Sequence, residues 1–320
     1  MEGNEVTIVV DPLIEAIPEF PLSTPISEVP AASYQGLDAH SDMASDYEWL
    51  SLRSWNPAAE VSLIDGAVVI GFHDYHDPRQ RFFGFVGGND PTRTAALLLE
   101  CAVERGWLPE LRLVPHDTAM RIGAGFDITA DRDNFDYLFT PDDVINLRGP
   151  KHQLNRYQRG RFYRDHDRRF RINRHDAADA PWDAVVTITE SWATKTMDRE
   201  SAADEVKSVL RCCDTLELLP WTGDVLVTSM MIDGHVVGYD ITEVRTGGWA
   251  VNHFQHSPHD RVGAHAAMRT AVAEWLIDRG VSWWNTEQDL GVEGLRTRKS
   301  RDRPAGFVRK YVVRRGQTAD

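Results

Sequence analysis

The chain has 320 residues, enough for one large domain or two ordinary ones, and its 42% hydrophobic and 26% charged residues indicate a globular protein. It contains no run of about eighteen apolar residues and begins with acids, so we expect neither a transmembrane helix nor a secretory signal. The net charge of −14 argues against a general nucleic-acid-binding protein, and three cysteines without metal spacing are typical of a reducing cytoplasm.

Residues 1–45 carry closely spaced prolines, which prevent a long helix. We predict an irregular or loosely packed arm there, to which "VTIVV" adds at most an edge strand. From residue 46 onward, strand-like and helix-like segments alternate. Asp65-Gly66 separates two apolar runs and predicts a hairpin, and Asp90 predicts the start of a helix that ends before Gly106. Further strands of this half are predicted at 81–87, 108–115 and within 126–140.

The first half ends with a predicted short helix at 141–147 and a basic helix at 150–166. The second half shows a similar order. The predictions in the second half are two helices within 183–219, a hairpin at Asp233-Gly234, strands at 248–257, 281–289 and 305–315, and a helix at 261–280. Because both halves show hairpin, strand, helix and strand, we predict an α/β (α+β) fold of two similar units. The predicted division is an arm at 1–45, a first domain at 46–168 and a second domain at 169–320.

Positive charge is concentrated in one segment of this acidic chain. Between residues 148 and 175 there are ten Lys or Arg residues and two acids, Asp165 and Asp167. Such a cluster repels itself unless an anion meets it, so the segment predicts a local contact with a polyanion. Tyr157, Phe162 and Tyr163 suit stacking on unpaired bases, but they suit core packing equally well.

Two stretches resemble a known family. "FDYLFTPDDVINLRGPKHQLNRYQRGRF" and "WWNTEQDLGVEGLRTRKSRDRP" are similar to two signatures of the lysyl-phosphatidylglycerol synthase C-terminal family, the second being N-x-E-x-D-L-G-x-x-G-L-R-x-x-K-x-x-x-x-P. The resemblance extends over roughly 46–315. It implies two tandem domains of the GCN5-related N-acetyltransferase (GNAT) fold, each a mixed sheet flanked by helices. It also implies transfer of an aminoacyl group from aminoacyl-tRNA to an acceptor.

The chain looks more like the soluble members of that family, which aminoacylate small molecules in natural-product pathways, than like its lipid-modifying members. Pro150, Leu154 and Asn155 stand where lipid-modifying members are often basic, and Tyr157 stands where Asn is usual, which argues against a phospholipid acceptor. We therefore expect a cytoplasmic aminoacyltransferase. Contact with tRNA is predicted through Lys151, Arg156, Arg159, Arg161 and Arg164.

The stretch 285–304 can supply groups for this chemistry. Strand alternation puts Asn285 and Glu287 on one face, with Asp289 at the strand end, where open sheets bind ligands. We predict that Asp289 or Glu287 deprotonates the acceptor or holds the aminoacyl ammonium group. Arg296 and Lys299 are predicted to bind phosphate or the developing negative charge. The alternative is a solvated helix with paired charges.

A second set of candidates surrounds the predicted helix at 261–280. Arg261 and Gly263 stand where the wider superfamily cradles the pyrophosphate of coenzyme A, although the match is partial and a plain helix start fits equally well. His253 is a second candidate base. The predicted donor-binding set is Arg261, Gly263, Asn285 and His253. The histidines lack zinc-site spacing, so no metal is predicted.

Several functions remain open at this point. The favoured one is aminoacyl-tRNA-dependent transfer of an amino acid to the nitrogen or hydroxyl of a soluble small molecule, with aminoacyl-tRNA as co-substrate and no further cofactor. The alternatives are an acyl-coenzyme A-dependent N-acyltransferase, a phosphatidylglycerol aminoacyltransferase, and a tRNA-binding module with an inactive site.

Overall fold

The structure, a computed structural model, describes residues 17–35, 37, 42–75, 77–195, 199–218 and 224–316. The predicted edge strand at 6–10 lies outside these residues. In the described part of the chain the strands are β1 Thr24–Pro25, β2 Glu60–Ile64, β3 Ala67–His73, β4 Arg81–Gly87, β5 Leu111–Pro115, β6 Phe126–Ala130, β7 Asp136–Phe139, β8 Phe170–His175, β9 Asp224–Ile232, β10 His235–Arg245, β11 Trp249–His256, β12 Trp283–Asn285, β13 Gly306–Val308 and β14 Lys310–Arg315.

The α-helices of the same residues flank these strands. They are α1 Ala31–Gln35, α2 Trp49–Trp55, α3 Pro91–Glu104, α4 His116–Ala119, α5 Pro141–Asn146, α6 Gln153–His166, α7 Trp182–Ala193, α8 Arg199–Leu218, α9 Ala264–Asp278 and α10 Glu293–Arg301. The predicted helices at 141–147, 150–166 and 261–280 correspond to α5, α6 and α9. The two predicted within 183–219 correspond to α7 and α8.

Two mixed sheets of seven strands each form the framework. Their strand orders are β1-β2-β3-β4-β5-β14-β6 and β13-β7-β12-β11-β10-β9-β8. The β4–β5 and β11–β12 pairs are parallel, whereas the hairpin pairs β2–β3 and β9–β10 are antiparallel. This arrangement confirms the predicted fold class, two GNAT-like units in tandem.

Local sequence explains the turns and helix starts that were predicted. Asp65 and Gly66 have φ values of 47° and 79°, the left-handed pair that a tight two-residue hairpin requires. Asp90 caps α3 because its side chain accepts a hydrogen bond from the backbone N–H of Arg93. These features depend only on neighbouring residues, and for that reason the sequence shows them directly.

The two sheets exchange strands across the predicted boundary at 168/169. β7 pairs with β12 and β13 in the second sheet, whereas β14 lies between β5 and β6 in the first. The predicted division into domains stays a prediction. The second sheet consists of the consecutive strands β7 to β13, whereas the first combines β1 to β6 with β14 from the other end of the described chain. β8, which was not predicted, forms the edge of the second sheet beside β9.

Two predicted strands differ in extent. The strand predicted at 281–289 ends at Asn285, because the chain then turns into the left-handed region at Glu287, with φ of 58°. The strand predicted at 305–315 is divided at Arg309 into β13 and β14, which belong to different sheets.

The described part of the N-terminal arm is packed against the core rather than loose. β1 pairs with β2, and Ile26, Val29 and Tyr34 are buried. They belong to an apolar cluster that also includes residues of α2 and of the second sheet. The prediction of loose packing is therefore wrong for residues 24–35. This packing holds α2 against the second sheet, where the candidate site lies.

Candidate active site

The chain beyond β12 forms a loop that turns Glu287 out of the strand. The backbone N–H of Glu287 donates to Oδ1 of Asn285 at 2.7 Å, and the Asn285 amide donates to Oδ2 of Asp136 on β7 at 2.9 Å. Asn285 is fully buried, so both ends of its amide are satisfied inside the protein. The left-handed backbone of Glu287 is therefore fixed to the second sheet through one side chain.

Lys299 of α10 holds the same loop from the other side. Its Nζ donates to three consecutive carbonyl oxygens, those of Thr286 at 2.5 Å, Glu287 at 3.1 Å and Gln288 at 2.8 Å. An ammonium group has three N–H donors, so this arrangement uses all of them. Burial lowers the pKa of Lys299 to about 8, although Glu287 nearby acts in the opposite direction. The geometry favours a positioning role over the predicted contact with phosphate.

Asp289 is enclosed by donors. It is fully buried and accepts from the hydroxyl of Tyr137 at 2.6 Å, from Arg132 at 3.2 Å, and from the backbone N–H of Gly291 at 2.9 Å. Arg296 adds two bonds, at 3.0 and 2.7 Å, and also contacts Asp133. Burial alone would raise the pKa of Asp289, but the hydrogen bonds from Arg296 and Tyr137 lower it. A carboxylate so fully engaged is a poor proton acceptor, and its arginine is occupied as well.

Beyond the paired part of β11 and β12, the two strands end at different points. The last pair is Val251 with Asn285, while β11 continues to His256. On its other side β11 contains a bulge, because Ile241 pairs with Phe254 and Thr242 with Asn252. His253 is thus the extra residue, and bulges of this kind redirect side chains next to active sites.

The bulge brings His253 to Glu287 through Ser51 of α2. Ser51 Oγ lies 3.2 Å from His253 Nδ1 and 3.3 Å from Glu287 Oε1, and the latter two atoms are 3.7 Å apart. His253 Nε2 lies 3.0 Å from Glu243 Oε2. These contacts form one consistent chain when both imidazole nitrogens carry protons, with His253 donating to Ser51 and Ser51 donating to Glu287.

The His253–Glu287 contact is the end of a row of five alternating charges, which we call the charge row: Glu48, Arg245, Glu243, His253 and Glu287. Arg245 lies 2.7 Å from Glu48 and 2.5 Å from Glu243. The first four members are at most 4% exposed, whereas the Glu287 side chain is 16% exposed. Glu287 is the member of the row that reaches solvent.

The charge row sets the protonation of His253. Burial by itself lowers the pKa of an imidazole, but the hydrogen bonds to Glu243 and Glu287 outweigh it and raise the pKa of His253 to about 9. Burial likewise opposes ionisation of Glu243, yet Arg245 and His253 together hold its pKa below the ordinary value. His253 is therefore an imidazolium at neutral pH, and the predicted role of a base does not fit it.

A second buried ion cluster supports the loop from below. Lys310 of β14 is fully buried and bonds to Asp136 at 2.6 Å and to Asp46. The Gln288 amide donates to Asp46 at 3.2 Å and accepts from Ser45 at 3.3 Å. Burial raises the pKa of Asp46 to about 6, although Lys310 acts against this. The cluster connects β7, β14 and the chain before α2 directly beneath Glu287.

The predicted donor loop is closed by α6. Gly263 caps the start of α9 with φ of 89°, and a Cβ atom there would lie 2.0 Å from the carbonyl oxygen of Gln158. The backbone of α6 therefore packs directly against the loop at Gly263, which disfavours a pyrophosphate at this point. Arg261 is exposed beside Asp260 at 3.6 Å, away from the charge row. The structure thus separates Arg261 and Gly263 from His253 and Asn285.

The five predicted tRNA-binding residues divide into two groups. Arg156 donates to the carbonyl oxygens of Leu147 and Gly149, and Arg159 donates to that of Ile145 at 2.7 Å, so both cap the end of α5. Arg161 is exposed and pairs with Asp165 at 3.2 Å. Lys151 and Arg164 are exposed and form no ion pair within the described part of the chain.

The aromatic residues of α6 divide in the same way. Phe162 is fully buried against α9, which fits core packing, whereas Tyr157 is 59% exposed and Tyr163 is 37% exposed. The face of α6 that reaches solvent therefore combines cations with aromatic rings.

Sequence reasoning missed the part of the site that α2 and β10 contribute. Glu48 and Ser51 are three residues apart at the start of α2 and so face the same side, toward His253. Glu243 lies in a strand otherwise predicted only as half of a hairpin. A glutamate and an arginine within the apolar strand "YDITEVR" were the available indication, since buried charges require partners.

Comparisons with known proteins agree with this architecture. A family model described as phosphatidylglycerol lysyltransferase, C-terminal, matches residues 41–314. A conserved protein of unknown function from Bacteroides thetaiotaomicron has a similar structure, with a TM-score of 0.72 and 18% identity over 91% of this chain and 98% of that one. The structure of L-PGS from Bacillus licheniformis gives a TM-score of 0.59 and 11% identity, with coverage of 90% and 93%.

Among curated proteins, none matches the chain by sequence. In the residues that the structure describes, the helices are too short or too polar to cross a bilayer. The structural likenesses establish the fold, and the family model covers far more than half of the chain. The chain therefore belongs to the phosphatidylglycerol lysyltransferase C-terminal family, a family of aminoacyltransferases with the GNAT fold.

Proposed function

We propose that this protein transfers an aminoacyl group from a tRNA to the amine or hydroxyl of a soluble small molecule, in a biosynthetic pathway. One observation carries the proposal: the carboxylate of Glu287 reaches solvent just beyond the last pair of β11 and β12, beside the His253 imidazolium. Membership of an aminoacyltransferase family supplies the donor class. The geometry supports the proposal because the carboxylate of Glu287 and the cation of His253 lie side by side.

The proposed reaction uses Glu287 as the base. An ammonium acceptor gives a proton to the Glu287 carboxylate and the freed nitrogen attacks the ester carbonyl. The new C–N bond forms and the ester C–O bond breaks. The attacking nitrogen gives up its second proton, which the departing ribose oxygen takes up, and Glu287 releases the first proton to solvent. The acceptor is thereby acylated and the tRNA is released uncharged.

His253 contributes charge rather than proton abstraction. Its imidazolium lies 3.7 Å from Glu287, so a positive charge faces the carboxylate that is proposed to accept the proton. Ser51 lies between them and can pass a hydrogen bond to either partner. Asn285 and Lys299 act as positioning residues, because they hold the backbone of Glu287 and touch no reacting atom.

Two features favour tRNA over coenzyme A as the donor carrier. The backbone of α6 packs directly against the start of α9 at Gly263, which disfavours a pyrophosphate there. The exposed face of α6 offers Arg164 and Tyr157, and Lys151 is exposed in the turn just before α6, a combination suited to a phosphate backbone with unpaired bases. Phosphatidylglycerol, the acceptor in the family's description, is the second candidate acceptor.

The test is a transfer assay with a charged tRNA pool. We expect the protein to release amino acid from tRNA when a panel of small amines and hydroxyl compounds is added, and treatment with ribonuclease should abolish the product. Vesicles containing phosphatidylglycerol replace the amines in a parallel reaction. Transfer that is indifferent to ribonuclease but needs acyl-coenzyme A would overturn the proposal, and product only with vesicles would assign the lipid acceptor.

A further inference from the structure

A small cavity lies on the face of the second sheet opposite Glu287. Strand alternation directs Trp284 and Asn285 of β12 to opposite faces, and the cavity lies on the Trp284 side, between α5, α6, α9 and the end of α10. Its volume is about 30 Å³, more than the roughly 10–15 Å³ that one water molecule needs. Arg303 lines it and is exposed, so the cavity opens to solvent there.

Arg269 of α9 is the central group of this cavity. It is 6% exposed, and its guanidinium lies between two rings, 4.2 Å from the centroid of Phe139 and 4.5 Å from that of Trp284. Its Nη2 is buried without a hydrogen-bond partner among the described residues. Because an unpaired buried cation is costly, an acceptor is expected to meet this nitrogen in the working protein.

Two histidines add further unused polar atoms. His152 is 2% exposed and neither of its ring nitrogens has a partner within the described part of the chain. His265 Nε2 lies 3.0 Å from Asp302, while its buried Nδ1 is likewise without a partner there. Burial lowers the pKa of both histidines, so each is neutral at pH 7 and can take up a proton when an anion enters.

The charges around the cavity select an anion. Arg269 and Arg303 line it, and Lys151, Arg156 and Arg298 act electrostatically on its histidines. The acids that line it are Asp143 and Asp302, and Asp302 is already engaged by His265. Asp240 also acts electrostatically on Arg269, so five cations stand against three acids, and guanidinium groups bind phosphate through charge-assisted hydrogen bonds.

We propose that this cavity binds a single phosphate group through Arg269 and His152, and that the phosphate belongs to the backbone near the aminoacylated end of the RNA donor. The second half of this statement rests on the proposed function, whereas the first half does not. His152, which lines the cavity, directly precedes α6. An RNA strand that follows the exposed face of α6 would therefore pass the opening of the cavity at Arg303. A phosphate group enters, and the rest of the nucleotide stays outside.

The experiment measures binding of inorganic phosphate by calorimetry at constant ionic strength. We expect Arg269→Met to weaken phosphate binding at least about tenfold, because it removes a charge-assisted donor. Replacing an unpaired buried cation by an apolar side chain of similar length should preserve the fold, which a melting curve in phosphate-free buffer checks. Arg79→Gln, whose arginine is 90% exposed and far along the chain, is the matched control and should bind phosphate normally.

Two further arms identify the source of the phosphate and separate this proposal from the previous one. An oligonucleotide that ends in CCA and carries no amino acid should displace inorganic phosphate from the unmodified protein. Glu287→Gln should bind phosphate like the unmodified protein, because Glu287 lies on the opposite face of the second sheet. If the unmodified protein binds phosphate but transfers no amino acid, the result counts only against the proposed reaction. If Arg269→Met binds phosphate as tightly as the unmodified protein does, or if the unmodified protein binds none, the proposed phosphate site is wrong. Phosphate binding that the oligonucleotide does not displace overturns the RNA source.

Discussion

Glu287 and Asp289 stand two residues apart in one loop, yet they occupy opposite environments. Asp289 is fully buried and receives five hydrogen bonds, two of them from Arg296. Glu287 is 16% exposed and faces Ser51 and the His253 imidazolium. The same type of group is thus saturated with donors at one position and open to solvent at the other.

This difference supports separate roles for the two carboxylates, one in stabilising the loop and one in accepting a proton. A carboxylate that already satisfies five donors stabilises the loop and has little tendency to accept a proton. A carboxylate beside one cation and one hydroxyl, with an edge reaching solvent, can exchange a proton with a bound molecule. We therefore assign the loop's stability to Asp289 and its chemistry to Glu287, and three predictions test that assignment.

The largest expected effect is on catalysis. Glu287→Gln keeps the size of the side chain and the contact with Ser51 but removes the proton acceptor, so we expect the transfer rate to fall roughly 10²- to 10⁴-fold. Single-turnover transfer from charged tRNA measures it. Glu293→Gln, an exposed glutamate at the start of α10, is the control and should keep full activity. A rate near normal for Glu287→Gln would remove the base from the mechanism.

The next effect is on folding. Asp289→Asn replaces a buried charged acceptor by an amide facing the partly exposed Arg132 and Arg296, which should lower the free energy of unfolding by roughly 1–3 kcal/mol. Asp133 bonds the same Arg296 but its side chain is 59% exposed, so Asp133→Asn should cost less than about 1 kcal/mol. Denaturant unfolding compares the two variants. If both variants are equally stable, burial does not distinguish the two carboxylates and the assignment is lost.

The third expected effect is that the contribution of His253 to the free energy of unfolding depends on pH. Its pKa rises from 6.5 to about 9 on folding, so its stabilising contribution is complete below pH 6.5 and is lost as the pH rises through 9. His253→Gln should therefore destabilise the protein by roughly 3 kcal/mol at pH 6 and by much less at pH 9.5. Lys299, whose pKa falls to about 8, acts in the opposite sense, but it is common to both proteins and cancels in the difference.

The same pH series connects His253 to Glu287. Glu287 is one of the two carboxylates that raise the pKa of His253. In a Glu287→Gln background, the stabilising effect of His253 should therefore disappear at a lower pH than in the unmodified protein. An unchanged transition would show that Glu243 alone holds the imidazolium.

The sequence was sufficient for features that depend on neighbouring residues. The hairpins at Asp65-Gly66 and Asp233-Gly234, the cap at Asp90 and the helices α5 to α9 follow from turn residues and apolar spacing. The pairing partners of a strand do not follow from its own pattern. For this reason the separation of β13 from β14 at Arg309, and the place of each in a different sheet, could not be predicted.

For the candidate site, the sequence likewise identified residues within one motif but not their contacts with distant parts of the chain. Glu287, Asp289, Asn285 and Lys299 were identified from one motif, but the division between positioning and chemistry depends on burial, which the motif does not encode. The bulge at His253 adds one residue to a strand whose pattern is otherwise regular. Ser51 comes from a helix more than two hundred positions earlier, so only the folded chain brings it to Glu287.

The position of β14 in the middle of the first sheet has a consequence for how the protein is made. Its neighbours β5 and β6 are synthesised nearly two hundred residues before it, and they can be joined only after β14 itself has been synthesised and has left the ribosome. Until then the nascent protein exposes two open strand edges, and Asp46 and Asp136 lack the ammonium group of Lys310. Loss of β14 alone would thus damage the sheet whose other strands were translated first.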